Sequence, residues 1–129
     1  MNKLFATRER FLRDRVPVRL GGIASNLARI RSFSEDPSLG DAMKGVLLQT
    51  GLFIDWVAPD LDPEHQALLL DLQRLIARCR ARWEKLWPDP IARAALGREA
   101  SQWSDRILAL SGLANDDSQE DARRQASAG

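Results

Sequence analysis

The chain has 129 residues, 44% of them hydrophobic and 29% charged, with a formal net charge of +1. That length allows one domain with a real core, and the composition is that of an ordinary soluble globular protein. The near balance of charge argues against a wholly basic nucleic-acid binder, and no apolar run approaches the roughly 18 residues of a membrane span.

The first element is a short amphipathic segment over residues 4–15. Leu4, Phe5, Phe11 and Leu12 fall on one side, and Arg8, Arg10, Arg13 and Arg15 lie largely elsewhere. The charge from Arg8 to Arg15 does not match a secretory leader, so a cytoplasmic location is expected. Val16-Pro17 interrupts the segment. A helix from Leu20 to Phe33 follows, in which Leu20, Ile23, Leu27 and Ile30 recur at helical steps. Arg29 and Arg31 in its last turns suit the negative end of the helix dipole. Gly21-Gly22 lacks the Gly-Lys-Ser/Thr of a phosphate loop and is read as a turn.

Three Asp-Pro pairs punctuate the rest: Asp36-Pro37, Asp62-Pro63 and Asp89-Pro90, spaced 26 and 27 residues apart. Asp favours the N-cap and Pro the first helical position, so each pair predicts a helix start. The third helix then runs to Val57, before Pro59. The fourth runs to Trp87, before Pro88. The fifth runs to Ser111, with Gly112 as a left-handed C-terminal residue. Each rod has about 22 residues and is roughly 33 Å long. Short connections imply antiparallel neighbours. The even spacing is not a repeat, because the side chains after each pair do not correspond. Residues 114–129 lack large apolar side chains and read as a disordered acidic tail. The expected fold is all-α: an antiparallel bundle of four main helices with a short N-terminal helix, over residues 1–113.

The third helix carries apolar residues on two sides. Met43, Val46, Leu47, Thr50, Phe53, Ile54 and Val57 form a core stripe. Leu48, Leu52 and Trp56 form a second, which is either covered by the N-terminal segment or left as a partner surface. The fourth helix has a core side of Leu68, Leu72, Leu75, Cys79, Trp83 and Leu86. Its other side carries a basic surface of Arg74, Arg78, Arg82 and Lys85. The fifth helix presents Leu96, Ala100, Trp103, Ile107 and Leu110.

Charge is segregated along the chain: +6 over residues 1–31, −7 over 32–73 and +4 over 74–85. Pairing of these blocks inside the bundle is the favoured reading, with the basic stripe facing the acidic third helix. A partner of opposite sign is the other.

Catalytic chemistry finds little support. The single histidine, His65, falls in the first turn of the fourth helix beside Asp62 and Glu64, where a cap contact explains it. There is no Glu-x-x-His pair of the kind that builds bundle metal sites, and one Cys makes no zinc site or internal disulfide. No metal or cofactor is expected. Cys79 is read as a core residue, and its neighbours Arg78 and Arg80 lower its pKa only if it is exposed. Cys79, Trp83 and Trp103 mark where a small ligand or pigment would sit if the bundle is a carrier. The basic N-terminal segment is expected to dock on the bundle in preference to a membrane surface or nucleic acid.

The runs Phe11–Ile30, Phe53–Asp60 and Trp103–Leu113 resemble a group of small cyanobacterial proteins over about residues 7–113. The resemblance implies a soluble protein of a photosynthetic bacterium and brings no activity and no functional residue with it.

The expected function is a non-enzymatic protein-interaction or assembly module. It would bind a protein partner, or a second copy, through Leu48, Leu52 and Trp56. The alternatives are a small-molecule or pigment carrier, and a nucleic-acid-associated protein using Arg8, Arg10, Arg13 and Arg15 with Arg74, Arg78 and Arg82.

Overall fold

The computed structural model describes residues 3–112, so the acidic stretch 114–129 lies outside the described residues. What is described is all-helical: α1 (Lys3–Arg13), α2 (Val16–Phe33), α3 (Gly40–Val57), α4 (Pro63–Ala81), α5 (Trp83–Leu86) and α6 (Pro90–Ser111). Short 3-10 turns at Pro37–Leu39 and Ala58–Asp60 flank α3.

All three Asp-Pro pairs cap a helical start, but only Asp62 and Asp89 open the long helices that the sequence predicts. Asp62 accepts the His65 backbone N–H at 2.9 Å, opening α4. Asp89 accepts the N–H groups of Ile91 at 2.9 Å and Ala92 at 3.4 Å, opening α6. Asp36 accepts from the Ser38 N–H at 2.9 Å and its hydroxyl at 2.7 Å, which together hold its carboxyl below the ordinary carboxylate range. It opens the 3-10 turn, with α3 proper starting at Gly40. Gly112 ends α6 with φ 75°, the left-handed conformation glycine adopts without strain.

Besides this later start of α3, which leaves it 18 residues long, two boundaries differ from the sequence expectation. Val16-Pro17 begins α2; it does not separate two elements. Proline is tolerated in a first turn because its missing N–H has no helical acceptor there, so Gly21 and Gly22 lie inside α2. The expected fourth rod also breaks. Arg82 leaves helical geometry at φ −108° and ψ 18°, separating α4 from the single turn of α5. Trp83 and Trp87 stack across that turn, centroids 4.9 Å apart. The Trp87 Nε1–H then reaches back 2.9 Å to the Pro37 carbonyl. Gly40 makes room for it, since a Cβ there would sit 2.8 Å from Trp87 Nε1.

α2 packs against α3 and α6, α3 against α4, and α1 against α3. Leu20, Ile23, Leu27 and Ile30 are all buried, as their spacing predicts. The α2–α6 contact is close because Gly97 meets Ser34, where a Cβ would collide with the Ser34 Oγ. Further along, the Ser104 hydroxyl donates to the Ala24 carbonyl at 2.9 Å. α2 meets α3 through an Asn26–Gln49 hydrogen bond of 3.1 Å. Arg19, only 6% exposed, ties the start of α2 to Asp60 at 2.8 Å. α3 and α4 are stitched by the Gln73 amide, which donates to the Gly51 carbonyl at 3.0 Å and to Asp55 at 2.8 Å.

That stitch accompanies one rotation of α4. Its buried residues are Leu69, Leu72, Ile76 and Cys79, with Trp83 below them in α5. Leu68, Leu75 and Leu86, expected in the core, are half-buried instead. The apolar arc is wide enough to allow two rotations, and contact with α3 selects the one that buries Leu69 and Ile76. In α6, Leu96, Ala100 and Ile107 are buried as expected, while Trp103 and Leu110 lie at the edge.

Candidate protein-contact site

The second apolar stripe of α3 does not form one surface. At its far end Trp56 is covered by α1, together with Phe53 from the edge of the core stripe. Phe11 stacks on Phe53 with centroids 4.4 Å apart and planes 17° apart. Trp56 completes the cluster, 5.8 Å from Phe11 and 5.9 Å from Phe53. Phe11 is 7% exposed as a result. The N-terminal segment therefore docks on α3, but only over this end. Leu52 is half-buried, and Leu48 remains 46% exposed.

Leu48 opens onto a hollow of about 370 Å³ between α3 and the α4–α5 junction. Trp83 lies at its base, with Lys44, Arg80 and Glu84 around it. The Lys44 ammonium sits 5.8 Å from the Trp83 ring centroid, within cation–π range. Gly45 has no neighbour within 4 Å of where a Cβ would stand, so it keeps the rim low and no backbone approaches it closely. The chemistry on offer is an exposed Leu beside an indole, rimmed by charge of both signs. It suits insertion of an apolar side chain from another surface.

The basic surface is where the sequence places it: Arg74, Arg78, Arg82 and Lys85 are all exposed. Its expected partner is not α3. Asp55 is taken by Gln73, and among the described residues the one ion pair of the four is Arg74 with Asp71 of its own helix, at 3.3 Å. The stripe faces a seam between α4 and α6. One hollow of about 630 Å³ is lined by Arg74, Leu75, Arg78 and Trp103, and a second of about 280 Å³ by Cys79, Arg82 and Leu86.

Cys79 and Trp103 line adjoining hollows that share Leu75, Arg78 and Glu99, while Trp83 lines a separate one, so the three side chains do not share one pocket. Trp103 is further occupied by Arg106, whose guanidinium carbon lies 4.1 Å from the ring centroid. Cys79 is buried, and burial, with Glu99 nearby, pushes its thiol up to about 11 against a smaller opposing effect of Arg78. The thiol is thus protonated near neutral pH, consistent with a core cysteine whose arginine neighbours lower its pKa only when it is exposed. His65 Nδ1 lies 3.3 Å from Asp62, the residue that caps its helix. Among the described residues no group of three or more His, Cys, Asp or Glu side chains is placed to hold a metal ion, and no helix is long and apolar enough to cross a membrane.

One convergence is absent from the sequence reading. Arg31 of α2 and Arg93 and Arg98 of α6 line a shared hollow of about 400 Å³. They are distant in sequence and meet only because Gly97 lets the two helices touch.

Comparison of the chain with protein-family profiles, with characterised proteins and with solved structures finds no match.

Proposed function

We propose that this chain is a non-enzymatic protein-interaction or assembly module, built on an antiparallel arrangement of its four long helices. Its contact is centred on Leu48 and the adjoining Trp83 hollow. The observation that carries this reading is the 46% exposure of Leu48, on a helix whose other large apolar side chains are buried or half-buried. A large apolar side chain beside an open indole-floored hollow gains by being covered, at about 25 cal/mol per Å² of apolar area. Lys44, Arg80 and Glu84 supply the polar rim that would set orientation.

Relative to the sequence expectation, the surface shifts away from Trp56, which α1 already covers, toward Leu48. The carrier alternative is weakened by the separation of Trp83 from Cys79 and Trp103. The proposal is tested by Leu48→Glu. Sedimentation of the purified protein and affinity capture from the native host should both register loss of the contact. Retention of the same oligomeric state and the same captured proteins would refute it.

A further inference from the structure

Where the end of α2 meets the first turns of α6, three guanidinium groups from two helices line the same hollow of about 400 Å³: Arg31, Arg93 and Arg98. Ser34, 6% exposed, lies in its wall beside the glycine contact. Arg93 is held in place before any ligand arrives. Its Nη1 donates to the Trp87 carbonyl at 2.7 Å, and its guanidinium carbon lies 5.6 Å from the Trp87 ring centroid. Its Nε is buried and has no hydrogen-bond partner, an uncommon state for a buried donor. Among the described residues no carboxylate lies within 4.0 Å of Arg93 or Arg98. The one acid in the lining is Glu35, 3.8 Å from Arg31, with both side chains more than half exposed.

We infer that this hollow binds the phosphate group of a small ligand. Three cations against one carboxylate leave a local charge of +2, which a phosphate dianion matches and a single carboxylate does not. Guanidinium groups present planar pairs of N–H donors suited to phosphate oxygens. The volume falls in the range of small-ligand sites, roughly 300–1,000 Å³. The inference is independent of the Leu48 contact, which lies on the α3–α4 side of the molecule.

The test is a titration of the ¹⁵N-labelled full chain with inorganic phosphate and pyrophosphate, at ionic strength held constant with chloride, reading the arginine Nε–H resonances. A saturable shift of Arg93 Nε–H is expected. Arg31→Gln and Arg98→Gln, both at exposed positions and outside the core, should each weaken binding by roughly tenfold, the value of one lost charge-assisted hydrogen bond. Arg29→Gln, exposed on α2 and outside the hollow, should titrate as wild type. A linear, non-saturating shift would overturn the inference, as would wild-type titration of both variants. A phosphoserine peptide that binds tighter than pyrophosphate would overturn the assignment to a small ligand.

Discussion

Phe11 of α1 lies face to face with Phe53 of α3, 4.4 Å between centroids. This single stack decides which part of the second α3 stripe stays open. It draws Trp56 into a three-ring cluster and leaves Leu48, two turns earlier, uncovered. The Arg19 guanidinium lies over the same ring, 5.9 Å from the Phe11 centroid, which adds a contact between α1 and the start of α2.

Phe11→Ala should therefore undock α1 and expose Trp56. The expected cost is about 2–4 kcal/mol, toward the lower part of the range for aromatic truncation because α1 is peripheral. Urea unfolding followed by tryptophan fluorescence measures both effects, with a red shift of native emission as the sign of Trp56 exposure.

Leu48 and Trp56 should separate sharply under polar substitution. Leu48→Glu should change folding stability by no more than about 0.5 kcal/mol, as exposed positions generally do. Trp56→Asp should cost about 2–4 kcal/mol, because it puts a carboxylate among aromatic rings. Thermal unfolding of the two variants checks this, and equal losses would mean that Leu48 is packed after all.

The Gly97–Ser34 contact should show as coupling. Gly97→Ala should cost about 1–3 kcal/mol by overpacking the α2–α6 crossing. Adding Ser34→Ala removes the hydroxyl oxygen that the new Cβ would meet and should recover part of that loss. A double-mutant cycle measures the recovery, and strict additivity would contradict the geometry.

Cys79 should be slow to react with thiol reagents near pH 7, because its thiol is pushed up from 9.0 to about 11. The sign follows from where the proton is held: between these values the unfolded chain loses it first. The stability owed to the protonated thiol is present below pH 9 and declines as pH rises toward 11. Alkylation rates across this range, with and without denaturant, give the measurement. Rapid labelling of the native protein at pH 7 would place the thiol elsewhere.

Much of the fold was legible because it depends on local chemistry. The Asp36, Asp62 and Asp89 starts rest on a side chain and the N–H groups two or three residues on. The Leu20–Ile30 spacing names a buried face directly. What failed depends on tertiary choice. Leu69 over Leu68, and Ile76 over Leu75, goes with the packing of α4 on α3, where Gln73 bonds to Gly51 and Asp55, which no pattern within α4 reveals. The break at Arg82 accompanies a contact from Trp87 back to Pro37, 50 residues away. Of the candidate sites, the α3 stripe and the basic α4 stripe were visible as helix faces. Which end of the first is covered, and that the second faces the α6 seam and not α3, required the packing. The Arg31, Arg93 and Arg98 convergence left no local signal at all.

The central claim is that the open Leu48 end of α3 is a protein contact. Its most direct test is affinity capture from the native host with the full chain and its Leu48→Glu variant as parallel baits, quantified by mass spectrometry beside sedimentation of each. The account predicts a partner, or a second copy of the chain, retained by the wild type and depleted roughly tenfold or more by the variant, whose fold is unchanged. A wild-type protein that is strictly monomeric, with captured proteins identical to those of the variant, would contradict it.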